Sequence, residues 1–202
     1  MSKAKIAKEP DYSTVDIERL TKANIGARYF EARMEKIPDD ASHKKLLLDY
    51  ISQMHLPKKK GADCRSLLFR GEHGSGKTAA AVLILVEVMA RAPALVYFEL
   101  AANIDHYAMN RDARDSEGQP IWRLLTRDAQ FLVLDDLGME RGTDWTSRWI
   151  EVVLTERYHR LLPTIITSNI DLDTLYKRTP RLKQLSADEY QLIEFDDLRW
   201  RG

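Results

Sequence analysis

The eight residues at 71–78, GEHGSGKT, constrain the fold of this 202-residue chain more than any other segment. The apolar stretch SLLFR at 66–70 predicts a strand before them, and TAAAVLILVEVMARA at 78–92 predicts a helix after them because it is rich in strong helix formers. A strand, a glycine-rich turn and a helix in this order direct successive backbone N–H groups at an anion. We therefore predict a phosphate-binding loop between a buried strand and a long helix.

The residue types within this loop suit a nucleotide and Mg²⁺. Its glycines let the backbone curl, the Lys77 ammonium can reach β- and γ-phosphates, and the Thr78 hydroxyl is an oxygen ligand for Mg²⁺. The alternative is a chance glycine turn before a helix, which average residue frequencies predict in about one chain of this size in a hundred, or fewer. The predicted nucleotide-binding residues are Gly71, Glu72, His73, Gly74, Ser75, Gly76, Lys77, Thr78 and Ala79.

A second motif, LVLDDLG at 132–138, ends another apolar strand. Asp135 is placed to bind Mg²⁺ through water beside the phosphate-binding loop, and Asp136 to orient or deprotonate the attacking water. A turn after a strand explains the two aspartates equally well on their own, and the upstream loop decides for the functional interpretation. ATP and Mg²⁺ are the expected ligands, with Thr78 and Asp135 holding the metal.

Strand-like and helix-like segments alternate through the rest of the chain. Residues 111–120 are too polar for either element and predict an exposed loop. The alternation predicts an α/β fold with a parallel five-stranded sheet between helices, which binds ligands at the carboxyl ends of its strands. The predicted strands are 66–70, 94–100, 130–137, 163–169 and 190–195, and the helices between them are 78–92, 101–110, 144–162 and 171–178.

The N-terminal part shows a polar tail and helix-like segments, without the alternation of strands and helices. Residues 1–14 are polar and predict a loose tail, and apolar residues between 17 and 34 predict a rough helical face that Pro38 ends. A second, amphipathic helix is predicted at 42–54, with Ser42 as its N-cap.

A run of three lysines at 58–60 marks a change along the chain. Such a run is typical of a solvated linker, and DNA contact is the less favoured alternative. We divide the chain there into a small helical N-terminal extension with its linker, 1–60, and an α/β core, 61–202.

Composition narrows the classes of partner. Lys plus Arg and Asp plus Glu both number 31, so no global field draws the chain to nucleic acid or membrane. No uncharged apolar run approaches the roughly 20 residues of a membrane span, and the N-terminus lacks the apolar core of a signal peptide, so we expect a cytoplasmic protein without membrane contact. The single cysteine, Cys64, is expected to be a small buried apolar group, and the five histidines show no metal-ligand spacing.

The segments GEHGSGKT, LVLDDLG and ERYHRLLPTIITSN, in this order and spacing, resemble the DnaC/IstB/DnaI branch of the AAA+ ATPases over roughly residues 60–202. That branch comprises replicative-helicase loaders and transposition helper ATPases, and its members lack much of the C-terminal helical lid of other AAA+ proteins. The seven residues after the last predicted strand fit this shortened plan. The resemblance implies ATP hydrolysis and a nucleotide-dependent homo-oligomer.

The resemblance also assigns roles to polar residues near the C-terminus. Asn169 resembles the sensor 1 residue of the family. Arg181 resembles the arginine finger that reaches the nucleotide of a neighbouring subunit, with Arg178 as a close competitor. Arg199 occupies the place of the sensor 2 arginine, and Arg201 takes it if the loop register differs. Arginine suits these roles because it stays charged and binds phosphate oxygens in a fork.

Two positions keep a second interpretation. Asn169 either lies level with the acidic pair, where it senses the γ-phosphate or the water, or caps the next helix, a role that Asp171 also fits. The segment IGARYF at 25–30 resembles the family segment near the adenine, while a buried Tyr29 explains it equally well.

Single-stranded DNA is predicted to contact the loop between the second and third strands, because ring-forming relatives face their channel from this side. A solvated loop is the slightly favoured alternative. Trp145 and Trp149 share one helix face and are expected to pack on the sheet. The candidate DNA contacts are His106, Tyr107, Arg111 and Arg114.

The sequence thus predicts an ATP-dependent accessory ATPase of DNA replication. We expect a phage or mobile-element helicase loader that assembles on single-stranded DNA and engages a replicative helicase. The alternatives are a transposition helper ATPase with a transposase as its partner, and a nucleotide-gated adaptor that scarcely hydrolyses ATP. A small-molecule kinase is disfavoured because no arginine-rich lid is recognisable.

Overall fold

The computed structural model describes residues 9–37, 39, 42–53, 65–138, 144–187 and 189–195. Some sequence predictions fall elsewhere. Residues 1–8 of the predicted tail, Pro38, the lysines at 58–60, Cys64, Arg199, Arg201 and the side chain of Ser42 lie outside the described residues.

Five parallel strands form one sheet, which confirms the predicted fold class. The strands are β1 Ser66–Gly71, β2 Val96–Leu100, β3 Phe131–Asp135, β4 Thr164–Ser168 and β5 Tyr190–Phe195. Their spatial order is β2-β3-β4-β1-β5. Strand β4 therefore lies between β1, which leads into the glycine loop, and β3, which ends in the aspartates, so three adjacent strands present their carboxyl ends together.

Helices cover both faces of this sheet. Alternate side chains of β1 point to opposite faces: Leu67 and Phe69 join an apolar cluster with α3 and the N-terminal segment, whereas Leu68 joins one with α6. No helix among the described residues is long and apolar enough to cross a membrane. The helices are α1 Ile17–Lys22, α2 Ser42–Gln53, α3 Lys77–Arg91, α4 Ile104–Met109, α5 Ile121–Arg123, α6 Asp144–His159, α7 Leu172–Arg178 and α8 Pro180–Ser186.

The N-terminal segment departs from its prediction. The helical face predicted through residue 34 is wrong beyond Lys22, because Asn24 takes a left-handed conformation with φ 57°. Asparagine tolerates this conformation, and its side-chain amide donates to the Phe98 carbonyl at 2.8 Å. The described part of the tail is not loose either, since the Asp11 N–H donates to the Ala90 carbonyl at 2.8 Å and the Tyr12 hydroxyl bonds to Glu87. This segment is therefore anchored on α3 and on the edge strand β2.

Several short elements were not predicted. Helix α5 continues into a π-helical turn at Leu124–Asp128, and α8 begins with Pro180 in its first turn, a position that proline favours. The helix predicted at 101–110 is divided into a 3-10 turn, Ala101–Asn103, followed by α4.

Arg157 of α6 joins these elements at the amino end of the sheet. Its side chain is fully buried, at 0% exposure, yet its guanidinium donates to the carbonyls of Ala129 at 3.0 Å and Pro163 at 2.7 Å. It also donates to the Thr164 hydroxyl at 2.9 Å and to the Leu125 carbonyl at 3.4 Å. Burial lowers the pKa of Arg157 to about 9, so the group stays charged at neutral pH.

Candidate functional site

The glycine loop connects the end of β1 to the start of α3. A side chain at Gly71 would collide with the carbonyl oxygen of Phe195 on β5. Gly74 and Gly76 take positive φ angles of 81° and 92°, which side chains rarely adopt. Helix α3 begins immediately afterwards at Lys77, so its first N–H groups are directed into the loop.

Lys77 lies inside this loop with only 5% of its surface exposed. Its ammonium donates to the carbonyls of Gly71 at 2.9 Å and Glu72 at 2.6 Å, and to the Ser75 hydroxyl at 3.1 Å. Burial lowers the Lys77 pKa, and the nearby carboxylates of Asp136 and Asp135 oppose that shift. The ammonium is thus held at the loop by neutral oxygens, which phosphate oxygens can replace.

Thr78 and Asp135 are brought together although 57 residues separate them. The Thr78 hydroxyl donates to Asp135 Oδ1 at 2.9 Å, and the Thr167 hydroxyl of β4 donates to the same oxygen at 2.6 Å. Burial raises the Asp135 pKa, while the two hydroxyl hydrogen bonds lower it. A carboxylate and a hydroxyl in contact are hard oxygen donors, and they fit Mg²⁺, which takes few protein ligands and keeps water and phosphate oxygens.

Asp136 follows β3 in a left-handed conformation, with φ 57°. Its N–H donates to the Thr167 hydroxyl at 3.0 Å, and its Oδ1 accepts from the Asn169 amide at 3.0 Å. Asp171, rather than Asn169, caps α7 by accepting from the Thr174 N–H at 2.8 Å. Asn169 is therefore free of the capping role and lies level with the acidic pair.

One pocket of about 460 Å³ is lined by Lys77, Thr78, Asp135, Asp136 and Asn169 together with their neighbours. Its opposite wall comes from the N-terminal segment, where Tyr29 is half-buried at the pocket surface and is not enclosed in the core. Burial raises the pKa of the Tyr29 hydroxyl. The lining residues are Arg28, Tyr29, Glu31, Ala32, Lys36, His73, Gly74, Gly76, Lys77, Thr78, Ala79, Asp135, Asp136 and Asn169.

The two candidate finger arginines lie outside this pocket lining. Arg178 is exposed, and its guanidinium donates to the Gly138 carbonyl at 2.5 Å, two residues beyond Asp136. Arg181 packs on its own chain instead: its guanidinium lies 5.4 Å from the ring centre of Tyr158 and donates to Gln184 at 3.0 Å.

The candidate DNA contacts lie on and after α4, away from the pocket lining. His106 is exposed, Arg111 donates to the Ala108 carbonyl at 3.4 Å, and Arg114 donates to the Gly118 carbonyl at 2.9 Å. Tyr107 is half-buried beside the Glu99 carboxylate. The predicted loop at 111–120 is mostly exposed and carries one isolated bridge between Arg114 and Pro120.

The tryptophan prediction is wrong for Trp145, whose side chain is 45% exposed. It meets Trp149 edge to face, with ring centres 5.6 Å apart, and Trp149 meets the buried Trp122 at 5.7 Å. The Arg111 guanidinium lies over the rings of Trp122 at 5.4 Å and Trp149 at 5.3 Å. An aromatic row thus runs from the core to the surface at the start of α6.

Two polar residues were missed by the sequence analysis. One is Thr167, whose hydroxyl contacts both the Asp135 carboxylate and the Asp136 N–H, and to which the sequence assigned no role. Glu99, 1% exposed near the end of β2, accepts from the Leu100 N–H at 3.0 Å and the Asn103 amide at 2.8 Å, and burial raises its pKa. An acidic residue closing an apolar strand, as in VYFEL, was the available signal. Across the described part of the chain, no group of three or more His, Cys, Asp or Glu side chains is placed to hold a metal.

The sequence was compared with family models and with curated proteins. No family model matches the chain. YqaM, an uncharacterised protein of Bacillus subtilis (strain 168), is 29% identical over 159 residues, which cover 70% of this chain and 47% of YqaM. The chain thus spans about half the length of that relative.

Solved structures align over most of the chain. The DnaC helicase loader has a TM-score of 0.67 at 24% identity, covering 85% of this chain and 100% of that one. DnaI has a TM-score of 0.61 at 19% identity, covering 88% and 94%. AMPPCP-bound DnaA from Aquifex aeolicus has a TM-score of 0.60 at 17% identity, covering 84% and 50%. With the glycine loop, acidic pair and strand order described above, this chain has the P-loop AAA+ fold seen in DnaC and DnaI.

Proposed function

We propose that the chain is an ATP-binding and ATP-hydrolysing AAA+ module. The observation that carries this proposal is the convergence of Lys77, Thr78, Asp135 and Asp136 on one pocket, although they come from two loops 57 residues apart. The division into an N-terminal extension, 1–60, and a core, 61–202, is part of the same proposal.

Each group has a distinct part in the proposed reaction. Lys77 and the loop N–H groups would bind the β- and γ-phosphates. Thr78 and Asp135 would hold Mg²⁺, which would neutralise charge on the triphosphate. Asp136 orients the attacking water and accepts its proton. Asn169 holds the Asp136 carboxylate through its 3.0 Å hydrogen bond.

Substitution of the loop lysine tests the site assignment. Lys77→Ala should abolish ATP binding or turnover, because no other lining residue replaces the ammonium within the loop. The matched control is Lys22→Ala, which removes a surface lysine paired with Glu18 at 2.7 Å. Titration calorimetry with ATP and phosphate release are the measurements, and ordinary hydrolysis by Lys77→Ala would refute the assignment.

We further propose that the module acts in DNA replication as a phage or mobile-element helicase loader. Support comes from the likeness to the DnaC helicase loader and to DnaA, one structure of which is bound to AMPPCP and single-stranded DNA. Pull-down with a replicative helicase and with a transposase separates a loader from a transposition helper. Phosphate release with and without single-stranded DNA identifies a pure adaptor, which would show no DNA-dependent turnover.

The proposed DNA surface follows α4 and the start of α6. Arg111 is exposed and stacked against tryptophan rings, and the Trp145 ring beside them is open to a base. Arg111→Gln should weaken binding of oligo(dT) and reduce the slope of log affinity against log salt by about one. An unchanged affinity and slope would place the DNA elsewhere.

A nucleotide-dependent homo-oligomer completes the proposal. An arginine of one subunit would then reach the nucleotide of its neighbour, and Arg178 is better placed for this than Arg181 because it is exposed near Asp136. Sedimentation with a non-hydrolysable ATP analogue, with and without single-stranded DNA, measures the assembly. A chain that stays monomeric under both conditions contradicts this part of the proposal.

A further inference from the structure

The Thr167 hydroxyl lies between the two aspartates of the site. It donates to Asp135 Oδ1 at 2.6 Å and accepts from the Asp136 N–H at 3.0 Å. The residue is fully buried, at 0% exposure, so water does not compete for these bonds. A hydroxyl has one proton, and the N–H of Asp136 occupies an acceptor position, so the proton is directed at Asp135.

We propose that Thr167 is a positioning residue for ATP hydrolysis, which sets the Asp135 and Asp136 carboxylates relative to each other. This inference rests on the proposed function of the pocket. Thr78 also bonds Asp135, but Thr78 is itself assigned to the metal. Thr167 is therefore the fixed partner, anchored on β4 and independent of the nucleotide.

The backbone around Asp136 explains why a fixed partner is needed. Asp136 has a φ of 57°, a left-handed conformation that residues with a side chain seldom adopt. Thr167 holds both sides of this turn: its hydroxyl accepts from the Asp136 N–H, and its carbonyl accepts from the Leu137 N–H at 2.9 Å. The conformation directs the Asp136 side chain to Asn169, so the hydroxyl and the amide together fix its position.

Both hydroxyl contacts to Asp135 end on Oδ1. The other oxygen, Oδ2, receives no hydrogen bond from Thr78 or Thr167 and remains available to metal-bound water. Loss of the Thr167 hydroxyl would let the carboxylate rotate and exchange its oxygens. The expected consequence is weaker Mg²⁺ use together with slower hydrolysis.

Valine is the informative substitution at this position. Thr167→Val keeps the branched shape and the backbone bond to Leu137, and removes only the hydroxyl. Thr167→Ser restores the hydroxyl without the methyl group. The control is Thr126→Val, which removes another hydroxyl of a threonine with 1% exposure, one that donates to the Trp122 carbonyl at 2.8 Å.

The test measures phosphate release and, separately, the affinity for ATPγS as a function of Mg²⁺ concentration. At saturating Mg²⁺, Thr167→Val should lower kcat about 10–100-fold with a nearly unchanged KM, the range for residues that orient metal ligands. It should also raise the Mg²⁺ concentration needed for tight ATPγS binding, while Thr167→Ser and Thr126→Val stay near wild type. Melting temperatures establish that each variant is folded.

The outcomes separate this inference from the proposed function. Wild-type Mg²⁺ dependence and kcat in a folded Thr167→Val overturn the inference alone. Equal losses in Thr167→Val and Thr126→Val also overturn it, because they indicate a general packing effect. If the wild-type chain binds ATPγS without any effect of Mg²⁺, both the inference and the proposed function are overturned. If the wild type binds ATPγS with Mg²⁺ but does not hydrolyse ATP, the Mg²⁺ dependence of ATPγS binding by Thr167→Val decides the inference.

Discussion

The sheet has a buried charged side chain at each end of its central strands, and the two differ in how fully they are hydrogen-bonded. At the amino end, the Arg157 guanidinium donates to four oxygens, three of them carbonyls. At the carboxyl end, the Asp135 carboxylate accepts two hydrogen bonds from hydroxyls, both on one oxygen. Among the described residues neither group has an ion-pair partner within 4.0 Å.

This difference separates a structural charge from one that lies in the proposed catalytic site. Buried polar groups are normally satisfied, and Arg157 follows that rule by closing the loops that begin β3 and β4. Asp135 keeps one oxygen unbonded to its hydroxyl partners and borders an open pocket, so its desolvation is left for a cation and water to offset. The guanidinium of Arg157 thus has oxygen acceptors on several sides, whereas the carboxylate of Asp135, in the proposed catalytic site, has hydroxyl partners on one oxygen only.

The largest expected effect is at the carboxyl end. Asp136→Asn should slow hydrolysis about 10²–10⁴-fold while ATP still binds, because the amide accepts no proton and orients water poorly. Its stability should stay near wild type, since Asn is close in size and tolerates the left-handed conformation. Single-turnover phosphate release is the measurement, with Asp173→Asn in the first turn of α7 as the control. Unchanged turnover would assign the catalytic role to another residue.

The second effect is at the amino end and is purely structural. Arg157→Met should lower the free energy of unfolding by about 3–5 kcal/mol, because the carbonyls that it bonds lose their donors inside the protein. Chemical denaturation gives the loss, and ATP affinity per folded molecule should not change. Arg160→Met is the control, since Arg160 pairs with Glu156 at 2.9 Å on the surface and should matter by less than about 1 kcal/mol. A loss of ATP affinity in folded Arg157→Met would show that Arg157 also affects nucleotide binding and does not have a structural role alone.

The same contrast explains what the sequence could predict. The glycine loop and the acidic pair are consecutive residues next to apolar strands, so pattern alone located them and the five strands. Thr167 and Arg157 act through contacts 32 and 28 residues away, which no local pattern encodes. Arg157 occupies an ordinary position in ERYHR, and its burial depends on carbonyls at the unpredicted π-helical turn.

The N-terminal misprediction has a related cause. Apolar residues from 17 to 34 repeat loosely enough to suggest a helix, yet Asn24 ends it because its amide and the neighbouring Ala23 carbonyl bond Phe98 on β2. Tertiary contact with the sheet edge thus overrides a weak local preference. The prediction for Trp145 was wrong for a different reason. Trp145 shares a helix face with Trp149, but it lies in the first turn of α6, where that face is not covered by the sheet.

A smaller effect distinguishes the two candidate finger arginines. Arg181→Ala should cost about 1 kcal/mol of stability, because its stacking on Tyr158 and its bond to Gln184 are lost. Arg178→Ala should cost less stability than Arg181→Ala, because Arg178 is exposed and loses its bond to the Gly138 carbonyl without losing a ring contact. It should nevertheless reduce assembly and the ATPase rate. Sedimentation and phosphate release on both variants decide the role. Intact assembly and turnover in Arg181→Ala would remove it as the trans finger.

The smallest expected effect concerns Glu99, a buried acidic residue near the carboxyl end of β2 that lies outside the pocket lining. Burial raises the Glu99 pKa above its unfolded value, so the stability contributed by its protonated form is present at low pH and is lost as the pH rises through the folded-state pKa. Glu99→Gln cannot lose that contribution, and its amide oxygen can keep the bonds from Leu100 and Asn103.

The stability gained by Glu99→Gln over wild type should therefore grow as the pH rises above about 4, the usual unfolded-state pKa of a glutamate, and level off above the folded-state pKa, with ATP turnover unchanged. Denaturation curves measured at several pH values give the gain. A gain that shrinks with rising pH would mean that ionised Glu99 is stabilised in the fold. A loss of ATP turnover in Glu99→Gln would mean that the proposed catalytic site extends as far as Glu99 on β2.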